Sequence, residues 1–159
     1  MAATAGGCAY VDKNIPTALE DYYTALFLDP ENSDARYGIG IIFYDQGLYD
    51  LSLREFEKYL QMPYKGLWSR ADTIEEKHIK RERAEAYCFI GDIYEKKGDK
   101  KASTTNYKKA TETDPEYTKF METFIKHIND KKEKTEKDFN NLETLTKRLA
   151  RMREAEKGT

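Results

Sequence analysis

Thiol catalysis, disulfide exchange and zinc binding all need Cys and His in company, and the 159-residue sequence holds two of each: Cys8, Cys88, His78 and His127. A helical metal pair needs a second ligand one turn away. His78 and His127 are each flanked by Lys and Ile, and neither has a His or Cys at i+4. Cys88 sits inside a helical pattern without the neighbours that activate a thiolate. Two cysteines are too few for a disulfide framework, so reduced thiols are expected. No glycine-rich loop follows a strand pattern, which leaves phosphate cradling without a scaffold. The sequence therefore predicts no catalytic residue, no metal site and no cofactor, and the chain is read as a non-enzyme.

Without such chemistry, the elements and the surfaces they build must carry the function. Lys and Arg number 27 against 29 Asp and Glu, a net charge of -2, which disfavours a strongly cationic nucleic-acid binder. Aromatic residues reach 13%, twelve of them Tyr, enough anchors to exclude a disordered chain. Four Pro and nine Gly are too few for an all-β sandwich, and a helical class is expected. No leader-like start and no run of some eighteen apolar residues is present, so a cytoplasmic chain is expected.

The helical pattern repeats. Ala18-x3-Tyr22, Ser52-x3-Phe56 and Ser103-x3-Tyr107 set a small residue four before an aromatic, the first two 34 apart and the third 51 further on. Gly6, Gly40 and Gly91 keep both intervals, and Pro30 and Pro115 are separated by their sum, 85. This is a 34-residue unit occurring three times with an insertion of about 17 before the last copy. Small residues opposite large rings let two antiparallel helices approach closely. Gly47 and Gly98 suit the left-handed end of a first helix, and Pro30, Pro63 and Pro115 close the pairs.

The third copy, Tyr87-x2-Ile90-Gly91-x2-Tyr94, Gly98-Asp99, Ser103-x3-Tyr107-x2-Ala110 and Asp114-Pro115, resembles the tetratricopeptide repeat. The second copy departs from it at Arg36, where the family prefers a large aromatic, and at Pro63, one residue early. The first copy has a good second helix but Gly6-Gly7 inside a short first one. The resemblance implies an all-α, right-handed α-solenoid of about three helix pairs. Residues 1–128 are expected to form the solenoid, with an insertion at 64–83 in which Trp68 fills the gap and Asp72 with Glu75 begins an elongated helix. Phe120, Met121, Phe124, Ile125 and Ile128 read as the buried stripe of a capping helix. Residues 129–159 read as a charged helical extension whose thin stripe of Phe139, Leu142, Leu145, Leu149 and Met152 is expected to be solvated, or to pair with another helix.

The resemblance also locates a binding face, formed by residues of the first helices not used in the small-large packing. These are Tyr10 and Val11, then Asp34, Tyr37, Ile41, Tyr44 and Asp45, then Glu85, Cys88, Phe89, Asp92 and Glu95. Five acids and four aromatics on one surface suit a basic, apolar peptide or amphipathic helix of another protein. The same rings would alternatively pack between neighbouring helices or lie under the terminal helix. Family members that hold chaperone tails use a clamp of Lys, Asn and Arg. The matching positions here are Ala3, Gly7, Gly38, Glu85 and Phe89, so that ligand is not expected. Lys96, Lys97, Lys100, Lys101, Lys108 and Lys109 form a rival basic cluster, diluted by Glu and read as a solvated face rather than a nucleic-acid or membrane site. The expected role is a protein-binding adaptor, with self-association through the terminal stripe as the alternative.

Overall fold

Seven helices and no strand occupy the described residues, 15–63 and 73–158 of the computed structural model. They are α1 (Ile15–Leu28), α2 (Ser33–Asp45), α3 (Tyr49–Gln61), α4 (Thr73–Lys96), α5 (Lys100–Thr113), α6 (Tyr117–Asn129) and α7 (Glu136–Lys157). The fold is all-α and built of consecutive helix pairs, as in α-solenoids. The chain divides into two compact units, Met1–Ile79 and Lys80–Thr159, with α4 running across the division.

In the first unit α2 and α3 form the tightest pair. Asn32 caps α2 by accepting the Ala35 amide at 2.9 Å. Gly47, at φ 74°, ends it, and the Leu48 amide reaches back to the Phe43 carbonyl at 2.8 Å. A Cβ on Gly40 would lie 2.9 Å from the Phe56 ring, so only glycine lets the helices approach this closely. The Ser52 hydroxyl donates to the Gly40 carbonyl at 2.7 Å and closes the same contact. Arg36, the departure from the family pattern, donates to Glu55 on α3 at 3.2 Å, a polar tie where a ring was expected. On α1 the Tyr22 ring lies against Gly38 of α2, and Gly6, the partner its own repeat supplies, lies outside the described residues.

The second unit repeats the α2–α3 device with α4 and α5. Gly98, at φ 80°, ends α4 and Asp99 caps α5 through the Ala102 amide at 2.9 Å. A Cβ on Gly91 would stand 3.0 Å from the Tyr107 ring. Asp114 accepts from Arg81 Nε and from the Glu116 amide, both at 3.0 Å, which fixes the turn into α6. A capping box of Thr135 and Asp138 begins α7, and Lys131 donates to Asp138 at 2.7 Å.

Two expectations are corrected here. The 129–159 segment is not a solvated extension: α7 packs on α5 and α6, and Leu149, Met152 and Ala155 are buried in one core with Ala84, Cys88, Tyr107, Ala110, Tyr117 and Met121. Its apolar stripe is thin because the helices it meets already supply the wide apolar surface. The stripe of α6 is also split. Met121 and Ile128 are buried, but Phe120 and Phe124 face outward. Helical spacing identifies a face and not which neighbour covers it. The predicted positions of Trp68 and Asp72 lie outside the described residues, while α4 does begin at Thr73 and runs long.

Candidate partner-binding face

The face expected from the sequence is divided between the two units. In the first, Asp34 opens the first turn of α2 and is half-buried, Tyr37 and Ile41 are buried, Tyr44 is half-buried and Asp45 is exposed. Tyr37 is taken up by α3, its ring 5.8 Å from that of Phe56 and 5.2 Å from that of Tyr59. Tyr44 meets Tyr49 edge-on at 5.8 Å. Burial pushes the Asp34 carboxyl up, partly offset by His78, and burial followed by the Asp34 charge pushes the Tyr22 hydroxyl up. Tyr10 and Val11 lie outside the described residues.

In the second unit the face is occupied by α7. Cys88, fully buried, has its Sγ 3.6 Å from the Met152 sulfur. One turn on, Arg148 Nε donates to Asp92 Oδ2 at 2.7 Å. The Arg148 guanidinium lies 4.2 Å from the Phe89 ring centroid, a cation on a ring face. Arg151 donates through two nitrogens to one oxygen of Glu95, at 3.0 and 2.7 Å. Tyr107 from α5 donates to the other Asp92 oxygen at 2.5 Å. Glu85 is half-buried on the same helix.

The electrostatics follow from this seating. Burial pushes the Tyr107 hydroxyl far up, helped by the Asp92 charge beside it. The hydrogen bond from Arg151 holds the Glu95 carboxyl below its ordinary range. Burial raises the Cys88 thiol far above the thiolate range, against the opposing effect of Arg148. The thiol is thus kept protonated and covered. No group of three or more His, Cys, Asp or Glu side chains that could hold a metal occurs among the described residues, and no described helix is long and apolar enough to cross a membrane.

The small-large contact of Gly91 and Tyr107, the Gly98 turn and the Asp114 closure all fall within the span 84–117. That span matches the family model described as tetratricopeptide repeat. These residues form a tetratricopeptide repeat. Such repeats mediate protein–protein interaction. No curated protein matches the chain.

Of the residues assigned to the binding face of this repeat, Cys88, Phe89 and Asp92 are brought together, but under α7 and not open to a partner. Sequence reasoning placed Met152 in the terminal apolar stripe but missed Arg148 and Arg151. The signal was present: Arg148 and Arg151 stand three apart, as do Asp92 and Glu95, with opposite sign. Spacing and charge matched, but nothing in the repeat pattern required the terminal helix to fold back.

Proposed function

We propose that the chain is a non-enzymatic protein-binding module whose first helices take a basic, apolar segment of helix. The observation that carries this reading is α7 itself. A helix with Arg148, Leu149, Arg151 and Met152 on one side is the kind of ligand expected for an acidic and aromatic face, and it sits on Phe89, Asp92 and Glu95. In the second unit that ligand is supplied within the chain. The corresponding face of the first unit, Asp34, Tyr37, Ile41, Tyr44 and Asp45, is then the one offered to a separate protein. Tyr44 and Asp45 provide its accessible part, and Tyr37 and Ile41 its floor. A basic segment fits Asp34 and Asp45 by charge, and Tyr44 supplies contact area at small entropic cost.

For self-association through the terminal stripe, Leu149 and Met152 are already covered inside the second unit, which leaves Phe139 as its exposed part. For the basic cluster, Lys108 lies within 4.0 Å of Glu112, in keeping with a mixed-charge face.

The test is site-specific photo-crosslinking in cells, with a benzophenone side chain at Tyr44 or, as control, at Lys101. A distinct adduct is expected at Tyr44 alone, lost when Asp34→Lys and Asp45→Lys are added. Absence of an adduct at Tyr44, or the same adducts from both sites, would refute the reading.

A further inference from the structure

Of the stretches that join the seven described helices, only 130–135, between α6 and α7, contains neither Gly nor Pro. The others hold Pro30, Gly47, Pro63, Gly98 or Pro115, whereas this one reads Asp-Lys-Lys-Glu-Lys-Thr. Lys and Glu are good helix formers. Asp130 with Lys134 and Glu133 with Lys137 are pairs four apart with the acid first, the order that supports a helix running straight through. Asp130 itself keeps helical angles, φ -77° and ψ -9°. The turn is closed by side chains: Lys131 on Asp138 at 2.7 Å, the Thr135 cap, and Lys134 on the Lys131 carbonyl at 3.2 Å.

The apolar pattern also runs through this turn. Met121, Ile128, Thr135, Leu142 and Leu149 are spaced by seven, as are Ile125, Lys132 and Phe139, so one unbroken helix would carry them on a single stripe. In the closed chain Glu122 of α6 meets Arg153 of α7, and Asn129 shares a groove with Leu142, Thr146 and Ala150. In sequence, Glu122 with Arg153 and Asn129 with Thr146 are both centred between Lys137 and Asp138. Two copies with this turn straightened can therefore lie antiparallel about the same centre. The α7 of each then takes, on the other copy, the seat it has on its own, and Arg148, Leu149 and Met152 keep their contacts. The arrangement also adds one. Phe139, 58% exposed in the closed chain, stands on the stripe beside that centre, where it meets the second copy's Phe139. By the same offset Lys132, the charge interrupting the stripe, stands opposite the second copy's Glu143.

We propose that α7 is exchanged between two copies of this chain, giving a dimer in which residues 117–157 form one helix and Phe139 packs on its mate. The occupant of the α4 face is then the α7 of a second copy. The reading of the first unit's face does not depend on this exchange.

The test is sedimentation of the full chain after refolding from urea at high concentration. A dimer that converts only slowly to monomer is expected, because exchange requires α7 to leave its core. Proline in a helix interior removes a hydrogen bond and clashes with the preceding turn, so Lys132→Pro should cut the dimer at least about tenfold with the monomer's helicity unchanged. Phe139→Ser should lower the dimer fraction without moving the monomer's melting temperature. Since Cys88 Sγ lies 3.6 Å from the Met152 sulfur, oxidation in a Cys8→Ser/Met152→Cys chain should join two chains in the dimer fraction and close within one chain in the monomer. A non-reducing denaturing gel reads the difference. A chain that stays monomeric, a dimer undiminished by Lys132→Pro, or a dimer whose disulfide stays within one chain overturns the proposal. If the disulfide variant misfolds, Lys132→Pro and Phe139→Ser decide.

Discussion

Arg148 Nε donates to Asp92 at 2.7 Å while the Arg148 side chain is only 4% exposed, so the contact between α7 and α4 centres on an ion pair taken almost wholly out of water. Phe89 covers one face of the guanidinium, and Nη2 has no hydrogen-bond partner among the described residues. Desolvation of such a pair offsets much of its attraction, but removing one member strands the other.

Asp92→Ala is accordingly expected to lower the unfolding free energy by about 3–5 kcal/mol, and Asp92→Leu with Arg148→Met to restore more than half of that loss. Urea unfolding of the singles and the double decides this. A double variant as unstable as Asp92→Ala would mean that the shared bond from Tyr107, and not the charge pair, is what matters.

Gly91→Ala places a methyl 3.0 Å from a Tyr107 ring that is held by its bond to Asp92. Overpacking costs about 1–3 kcal/mol, against about 1 kcal/mol gained in helix propensity, so a net loss of roughly 1 kcal/mol is expected. At Gly38 the nearest atoms belong to the far end of the half-buried Tyr22, which can swing aside. Gly38→Ala should therefore cost less in the same thermal melts, and the reverse order would contradict this account of the two contacts.

The Asp138 carboxyl is drawn down to about 2, first by Lys131 and then by the Thr135 amide. A carboxylate depressed in the fold stabilises it above its unfolded value near 3.9, and that contribution is lost as pH falls from about 4 through 2. Between pH 5 and pH 2.5 the urea midpoint of Asp138→Asn should fall less than that of the unmodified chain. Glu95, also held low by Arg151, adds to the acid loss in both proteins, so the difference between them isolates Asp138.

Cys88 is buried against Met152 with its thiol held protonated. In a Cys8→Ser background, Ellman's reagent should leave it untouched under native conditions, and labelling should speed up when Met152→Ala loosens α7. Rapid labelling of the folded chain would mean that α7 leaves the face readily.

The repeat was legible because its packing rule acts between residues close in sequence. Gly40 with Phe56 and Gly91 with Tyr107 recur at fixed spacing, and Gly47 and Gly98 mark turns that need positive φ. The binding face was legible in composition but not in accessibility, since Cys88 and Asp92 meet residues of α7 far along the chain. Nothing local distinguishes Phe120, outside, from Met121, inside. That depends on where α4 and α7 lie against α6. Gly38 was passed over because its partner, Tyr22, belongs to the preceding pair rather than its own.

The Thr135–Asp138 box pins the first turn of α7, and Arg148 locks its later half onto Asp92. The stretch between those two fasteners works as a gauge cut in whole residues. Length added ahead of Thr135 is absorbed by a loop, but one residue added beyond Asp138 swings everything after it by about 100°. Arg148 and Met152 would then leave Asp92 and Cys88 together, so the phase of this tail, more than its length, is what the contact depends on.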